Sequence, residues 1–278
     1  MKKIIIPVDF SEHSEFALES AALLAKKFDS ELLILHMLEL SNMMYSSSVN
    51  DQYEEVAFYL KLAEQKFDDF LDKPYLMGVK ITPIVKHFKV FSEVNEIAKQ
   101  HQADLVVMGS HGSSGFKEFV IGSNAEKVIR NAEIPVLVVK NKLNAIDFTE
   151  IIFLSNFEKE MTNAFVKAKH ICDQFDASLK LLNINIPTDR FQSTIELDEK
   201  ITQFFDNAEW HTDRKKDVIC ISDYTVEEGV LNYAKTHPTD LIIIPTHGRK
   251  GISHFLSGSI AEDIVNHSEA LIMTIKID

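Results

Sequence analysis

This sequence has little cysteine, no long apolar run and no excess of basic residues. Its two cysteines, Cys172 and Cys220, share no short-spaced motif, which argues against a disulfide framework and a zinc knuckle. We expect both thiols to be buried and structural, as free cysteines usually are. No apolar run approaches the roughly 20 residues that span a bilayer, and "MKKIIIPVDFSE" at Met1 to Glu12 turns acidic too soon for a secretory signal. The sequence therefore predicts an ordinary soluble globular protein in the cytoplasm.

Acidic residues dominate the charge of the chain. The formal net charge is −13 at pH 7, and this opposes non-specific binding to nucleic acid, which needs a basic surface that releases counterions. A small anion can still be bound locally, through backbone amides. The 278 residues, of which 45% are hydrophobic, suffice for two domains that each bury their own core.

A long segment of the sequence occurs twice. "IIIPVDFSEHSEFALESAALLAKKFDSELLILHML" at Ile4 to Leu38 parallels "IIFLSNFEKEMTNAFVKAKHICDQFDASLKLLNIN" at Ile151 to Asn185. Each copy holds an apolar run, a segment with helical spacing of apolar residues, and a second apolar run. This pattern predicts a β–α–β unit whose strands are buried on both faces.

Strands and helices continue to alternate after each copy, which predicts two tandem doubly wound α/β domains with parallel sheets flanked by helices. We place the domains at residues 1–143 and 147–278, joined near "KNKLNAID" at Lys140 to Asp147. The second domain is shorter, and its deficit lies around Pro187 to Arg214, where we expect one helix.

A glycine-rich phrase also occurs twice, as "MGSHGSSGFKEFVIGSNAEKVI" at Met108 to Ile129 and "IPTHGRKGISHFLSGSIAEDIV" at Ile244 to Val265. Each phrase begins where a predicted strand ends and runs into a predicted helix. Ligands of doubly wound sheets bind at the carboxyl ends of the strands, and free N–H groups at a helix amino terminus attract anions. The placement favours a phosphate site over glycines that serve the loop geometry alone.

The glycines of the first phrase include Gly109, Gly112 and Gly122, the last of which is followed by Ser123. Glycine lets backbone amides approach a phosphate closely, and the Ser123 hydroxyl adds a donor and can help cap the helix. The spacing matches neither a Walker A loop nor the G-x-G-x-x-G fingerprint.

These residues resemble the universal stress protein family, whose signature is G-x2-G-x9-G-[S/T]. The supporting matches are "PVDFSE" at Pro7 to Glu12, "LILHML" at Leu33 to Leu38 and "IPVLVV" at Ile134 to Val139. The resemblance covers essentially the whole chain as two copies. It implies five parallel strands in each domain, a site for ATP or a related adenine nucleotide (ADP or AMP), and pairing of domains through their last strands.

The resemblance also implies which residues form the site. Asp9 would hold the adenosine end, the Met37 backbone would contact the adenine, and the glycine loop would cradle the phosphates. The full expected set is Pro7, Asp9, Met37, Gly109, His111, Gly112, Gly122, Ser123 and Asn124. A carboxylate accepts hydrogen bonds from an amine or a ribose hydroxyl, and amides suit phosphate oxygens. The alternative for Asp9 is a role in the turn before the helix.

The second copy departs from this pattern. Pro245 stands in place of Gly109, Asn156 in place of Asp9 and Leu154 in place of Pro7. A proline lacks an N–H group and fixes φ, so one phosphate donor is lost. A second site would comprise Asn156, Gly248, Arg249, Gly258 and Ser259, with Lys250 beside them. We expect the second domain to bind nucleotide weakly, to bind something else, or to be structural.

Neither a metal site nor a set of catalytic residues emerges from the sequence. His36, His111 and His247 offer no spacing that converges three or four ligands, although Mg²⁺ could accompany ATP on its phosphates. Motifs of hydrolases and kinases are missing too. We therefore favour an ATP-binding regulatory or stress-response protein, and keep open a scaffold that binds no nucleotide and a slow ATPase.

The last strands suggest how the domains associate. Val136 to Val139 and Leu271 to Ile275 are apolar, and each lies at a predicted sheet edge that needs cover. We expect an intrachain pseudo-dimer through these strands, with a homodimer as a further possibility.

Overall fold

Strands and helices alternate along both halves of the chain, as the repeat predicts. The structure is a computed structural model that describes residues 1–38, 49–87, 90–110, 121–188, 191–210, 212–247 and 258–277. The predicted fold class is confirmed, because each half is an α/β domain with a parallel sheet flanked by helices.

The first half contains five strands and four helices. The strands are β1 (Lys3–Val8), β2 (Glu31–Leu38), β3 (Lys80–His87), β4 (Leu105–Gly109) and β5 (Val136–Val139). The helices are α1 (Glu12–Phe28), α2 (Val49–Leu71), α3 (Val90–His101) and α4 (Ser123–Asn131). The strand order is β3-β2-β1-β4-β5, and β1 pairs in parallel with both β2 and β4.

The second half repeats this arrangement. Its strands are β6 (Glu150–Leu154), β7 (Ser178–Asn185), β8 (Val218–Ser222), β9 (Leu241–His247) and β10 (Leu271–Ile277). Its helices are α5 (Thr162–Phe175), α6 (Thr194–Asn207), α7 (Val226–Thr236) and α8 (Gly258–His267). The order is β8-β7-β6-β9-β10. The helix expected between β7 and β8 is α6, which begins with a capping box of Ser193 and Glu196.

The chain divides into two compact units. The first comprises Met1–Lys117, Gly122–Val128 and Val138–Ile146, and the second comprises Glu118–Ile121, Ile129–Leu137 and Asp147–Asp278. Within the described ranges, no helix combines the length and the hydropathy needed to cross a bilayer.

The prediction for the two cysteines is half wrong. Cys172 on α5 is buried, as expected, but Cys220 on β8 is exposed. β8 is the outermost strand of its half, and none of its five residues is fully buried. A strand at the edge of a sheet has a neighbour on one side only, so its side chains are covered less completely.

One carboxylate in each half ties the start of the first strand to the loop before the fourth. Asp104 Oδ2 accepts hydrogen bonds from the Lys2 and Lys3 amides at 2.5 and 3.0 Å. Asp240 Oδ2 accepts from the Thr149 and Glu150 amides at 2.8 and 3.0 Å, and from Thr149 Oγ1 at 2.8 Å. Burial opposes ionisation of Asp240, but these hydrogen bonds outweigh it and lower its pKa.

This lowered pKa makes the stability of the second unit sensitive to acid. A carboxyl group whose pKa is lower in the folded state stabilises the protein above its unfolded pKa of about 3.9, and the contribution is lost as pH falls through the folded value. Because Asp240 is partly exposed, we expect Asp240→Asn to cost about 1 kcal/mol at pH 7. Urea unfolding at pH 7 and pH 3, followed through Trp210, the single tryptophan, should show a smaller pH effect in this variant. Asp206→Asn, at an exposed carboxylate, is the control and should leave the pH effect unchanged.

Candidate functional site

The carboxyl ends of β1, β2 and β4 bring four of the predicted residues to one edge of the first sheet. Val8 of β1 lies in register with His36 of β2, so Asp9, which follows β1, lies beside Met37 near the end of β2. Gly109 is the last residue of β4, the other neighbour of β1. Pro7, Asp9 and Met37 are all half-buried, so this edge is partly open to solvent.

Asp9 is engaged by the first turn of α1. Its Oδ1 accepts hydrogen bonds from the Ser11 amide at 3.1 Å and from Ser14 Oγ at 2.5 Å. Ser11 is the N-cap of α1, since its side chain accepts from the Ser14 amide. Asp9 therefore has the turn role that the sequence offered as the alternative to ligand binding. One oxygen can serve the turn while the carboxylate keeps its charge, so the two roles are compatible.

Phe10 belongs to this edge, although the sequence analysis did not select it. Its φ of 62° lies in the left-handed region, which costs a phenylalanine free energy unless the surroundings hold it there. They do so here, because its ring centroid lies 4.4 Å from that of His36, 5.2 Å from Phe67 and 5.4 Å from Phe70. Phe157 repeats the conformation, with φ of 59°. The sequence signal for this role is the pair Asp9-Phe10, which recurs as Asn156-Phe157 at the equivalent position of the second half.

His36 is fixed by a hydrogen bond to the neighbouring strand. Its Nδ1 lies 2.9 Å from the Val8 carbonyl oxygen, and a carbonyl can only accept, so Nδ1 carries a proton. Asn183, at the equivalent position of the second half, donates from Nδ2 to the Ser155 carbonyl at 2.9 Å. The same backbone carbonyl is thus bonded by the same side-chain position in both halves.

Gly109 is required by close packing against α1. A Cβ atom at this position would lie 2.7 Å from the carbonyl oxygen and 2.8 Å from the carbonyl carbon of His13. Both are backbone atoms of the first turn of α1, which cannot rotate away as a side chain can. Gly109 therefore lets β4 and the start of α1 approach each other at the candidate site.

The end of β4 and the start of α4 are held together. The Gly122 amide donates to the Ser110 carbonyl at 2.9 Å, and the Ser110 amide donates to the Val139 carbonyl at 3.0 Å. Gly122 precedes α4 and accepts from the Glu126 amide at 3.0 Å, which is the first hydrogen bond of the helix. The predicted residues His111 and Gly112 lie outside the described residues.

Gly122, and not Ser123, therefore holds the N-cap position of α4. The prediction that Ser123 helps to cap this helix is wrong, since α4 begins at Ser123 itself. Ser123 and Asn124 are exposed in the first turn. N–H groups of a first turn have no partner within the helix and point toward its amino end, where the helix dipole favours an anion.

The second half keeps the turn but changes its surroundings. Asn156 Oδ1 accepts from the Glu158 amide at 3.1 Å, as Asp9 does from Ser11. Pro245 lies within β9, and the 3-10 turn Lys159–Met161 precedes α5 where α1 has its first turn. Gly248 and Arg249 lie outside the described residues, and Gly258 and Ser259 begin α8.

Three residues at the corresponding edge of the second half are more deeply buried than their counterparts in the first half. Phe157, Asn183 and Ile184 are 3%, 3% and 1% exposed, whereas their counterparts Phe10, His36 and Met37 are all half-buried. Phe204 of α6 packs its ring 5.7 Å from Phe157, and Met161 Sδ lies 3.8 Å from Ser155 Oγ. Phe157, Asn183 and Ile184 are therefore covered more completely than their counterparts in the first half.

His247, the counterpart of His111, is also turned inward. Its side chain is 9% exposed, and Nε2 lies 3.3 Å from Glu160 Oε1 without hydrogen-bond geometry. The distance is short enough for an ion pair when the imidazole is protonated. Among the residues that the structure describes, no group of three or more histidine, cysteine or acidic side chains could hold a metal ion.

Comparison with known proteins agrees with the repeated fold. The model of the universal stress protein family matches residues 1–140 and again residues 156–276. The chain belongs to the universal stress protein family. This confirms the resemblance and the tandem arrangement that the sequence predicts.

Two relatives and one solved structure show how far the similarity extends. Universal stress protein MJ0531 of Methanocaldococcus jannaschii is 36% identical over 143 residues, covering 50% of this chain and 82% of its own. Universal stress protein MJ0577 of the same organism is 31% identical over 155 residues, covering 51% and 96%. A universal stress protein from Archaeoglobus fulgidus superposes with a TM-score of 0.66 at 20% identity, covering 99% of this chain and 98% of its own. This last likeness shows the fold alone.

Proposed function

We propose that the first domain, residues 1–143, binds ATP or a related adenine nucleotide and that this binding serves a regulatory role in stress response. The observation that carries the proposal is the contrast between the two halves. The same strand ends are half-open around Phe10, His36 and Met37, but their counterparts Phe157, Asn183 and Ile184 are buried in the second half. Small-molecule sites combine apolar side chains with a few polar groups, and Phe10, Met37 and Asp9 supply both kinds of group at this edge.

Each expected residue has a chemical role in this site. Pro7, Phe10 and the Met37 backbone would border the base, and Asp9 would accept hydrogen bonds from the adenosine. The amides of Ser123 and Asn124 would face the phosphates at the amino end of α4. Gly109 gives close packing beside them, and His111 and Gly112 belong to the same loop. Mg²⁺ would bind the phosphates of the nucleotide.

We propose that the second domain, residues 147–278, is structural at the corresponding place. Pro245 supplies no N–H group, Asn156 carries no charge, and Phe204 covers Phe157. A base that entered here would have to displace the side chains that bury Phe157, Asn183 and Ile184, and that costs the contacts they make.

The stoichiometry of ATP binding tests this proposal. The protein is denatured and refolded to remove carried-over ligand, then titrated with ATP and Mg²⁺ in a calorimeter. We expect one equivalent to bind. Two equivalents would contradict the assignment to one domain, and no binding to folded protein would favour a scaffold. Phosphate release measured in the same samples separates binding from slow hydrolysis.

Two substitutions at Asp9 separate its turn role from its ligand role. Asn156 shows that asparagine makes the same turn, so Asp9→Asn should keep the stability while Asp9→Ala loses about 1 kcal/mol. Both should weaken ATP binding, by roughly tenfold for Asp9→Asn, because a charge-assisted hydrogen bond is replaced by a neutral one.

Asn156→Ala is the matched control for the Asp9 pair. It removes the same turn contact in the second half, so it should lower stability without changing the affinity for ATP. Equal ATP affinities of wild type and Asp9→Asn would show that the Asp9 carboxylate serves the turn alone.

We also propose that the two domains pair through their last strands as an intrachain pseudo-dimer. All four side chains of β5 are buried, as are Ile272, Met273 and Ile275 of β10, although edge strands of a sheet usually carry polar or charged residues. Residues 1–146 and 147–278 produced as separate chains should then copurify in equal amounts. Failure of the two folded chains to associate would contradict the pairing. Sedimentation of the full chain measures separately whether a homodimer forms.

A further inference from the structure

Three large apolar side chains project into solvent at one edge of the second unit. Phe191 is 61% exposed, Ile195 is 74% exposed and Tyr224 is 81% exposed. Phe191 precedes α6, Ile195 lies in its first turn, and Tyr224 lies between β8 and α7. We call these three residues the apolar rim. Exposed apolar side chains that occur together mark interaction sites more often than those that occur singly.

The register of two strands places the apolar rim at one edge. Asn185 ends β7 and pairs with Ser222, the last residue of the neighbouring strand β8. Tyr224 follows Ser222 by two residues, so it leaves the sheet beside Asn185. The Asn185 side chain accepts from the Gln192 amide at 3.1 Å and donates to the Gln192 carbonyl at 3.0 Å. Phe191, which precedes Gln192, is thereby held at the same edge as Tyr224.

Hydrogen bonds hold the described backbone on either side of Phe191. The Phe191 amide donates to the Thr188 carbonyl at 3.0 Å, and the Ser193 amide donates to Glu196 Oε2 at 2.8 Å in the capping box. The first turn of α6, with Ile195, follows directly. A preordered backbone loses little conformational entropy when its exposed side chains are buried against a partner.

Acidic side chains surround the apolar rim. They are Glu196 and Glu199 on α6, Asp223 before α7, and Glu227 and Glu228 in the first turn of α7. Two lysines of the described residues near the rim are paired, Lys200 with Glu158 at 2.6 Å and Lys215 with Asp198 at 2.7 Å. Arg190, which precedes Phe191, lies outside the described residues. The rim therefore combines apolar anchors with a negative border.

We propose that the apolar rim docks a basic, amphipathic segment of another protein. Leucine or phenylalanine side chains of that segment would cover Phe191, Ile195 and Tyr224, and its lysines or arginines would face the surrounding carboxylates. A second copy of this chain fits less well. A symmetric contact would bring the same acidic border onto itself, in a chain whose net charge is −13. This inference does not depend on nucleotide binding.

Binding of defined peptides to the full-length protein tests the proposal. A fluorescent amphipathic peptide of leucine and lysine is titrated with wild type, and a peptide of leucine and glutamate with the same pattern serves as the charge-reversed probe. We expect saturable binding of the lysine peptide that weakens with salt. The variant Phe191→Ser/Ile195→Ser/Tyr224→Ser should bind it at least about tenfold more weakly, because buried anchors carry most of the energy of an interface.

Two further variants test the location of the apolar contact and the contribution of the acidic side chains to peptide binding. Phe58→Ser/Met77→Ser removes exposed apolar side chains of the first unit, and should leave binding unchanged. Glu227→Gln/Glu228→Gln should weaken binding and lower the thermal unfolding midpoint by only a few degrees, because two charges that favour the dipole of α7 are lost. The proposal is overturned if the lysine peptide does not bind, if the rim variant binds it as tightly as wild type, or if the glutamate peptide binds equally. Self-association that sediments as a dimer and disappears in the rim variant would identify a second copy as the occupant and overturn it as well.

Discussion

Replacing Gly109 with alanine is expected to destabilise the first unit by about 3 kcal/mol, at the upper end of the cost of overpacking by a methyl group. The added Cβ would lie 2.7 Å from the His13 carbonyl oxygen, and neither that atom nor β4 can move alone. The first turn of α1 would have to shift, and with it the turn that holds Asp9. We therefore expect the unfolding midpoint to fall by roughly 10 °C and ATP affinity to fall with it, measured by calorimetry of the same samples.

Gly78→Ala is the control that separates the cost of a steric clash from the cost of backbone strain. Gly78 has φ of 80° and open space around its Cβ position, so alanine there meets backbone strain but no clash, at about 1–2 kcal/mol. Its ATP affinity should match that of wild type. If Gly109→Ala were no more destabilising than Gly78→Ala, close packing would not be the reason for glycine at the end of β4.

The repeated α/β fold could be predicted because its strands are buried on both faces. Ile4 to Val8 and Leu32 to Leu38 read as continuous apolar runs, which is typical of parallel strands, and the helix between them shows one apolar stripe. α6 was the least certain helix in the sequence, yet its capping box of Ser193 and Glu196 is a local signal of a helix start.

The predicted cytoplasmic location stays a prediction.

The site could be predicted only as far as strand ends and glycines mark it. The strand ends mark this edge of the sheet, and the resemblance to the universal stress protein family selects Asp9, Met37 and Gly109 at it. The partial burial of Phe10 and the full burial of Phe157 could not be predicted, because they depend on which side chains α2 and α6 contribute. Cys220 was misjudged for a similar reason, since the position of β8 at a sheet edge is a property of the topology.

The two halves share the same backbone conformation and hydrogen bonds at the end of their first strand, but differ in how deeply the nearby side chains are buried. Both have a left-handed phenylalanine, and both bond the carbonyl before the turn with a side chain from the next strand. Because the closed half also has these two features, the fold needs them, and their presence in the open half is weak evidence for ligand binding. The features that differ between the halves carry the functional argument, namely the Asp9 charge, Gly109 and the half-open edge around Met37.

A second large loss of stability is expected when Phe165, which is completely buried, is replaced by alanine. Its ring centroid lies 4.7 Å from Trp210, 5.3 Å from Phe204 and 5.4 Å from Phe153. Phe165→Ala should destabilise the second unit by about 3–5 kcal/mol, because it loses apolar burial and leaves a cavity among rigid rings. Urea unfolding followed by the fluorescence of Trp210 measures this directly.

Val166→Ala is the matched control, because it changes the next residue of the same helix, whose side chain is 48% exposed. It should cost less than about 0.5 kcal/mol. Phe204 also contacts Phe157, so Phe165→Ala loosens the packing that closes the second edge while leaving the first unit untouched. ATP stoichiometry below the unfolding midpoint should therefore remain at one. A second equivalent bound by Phe165→Ala would show that aromatic packing alone keeps nucleotide out of the second domain, and that Pro245 and Asn156 do not.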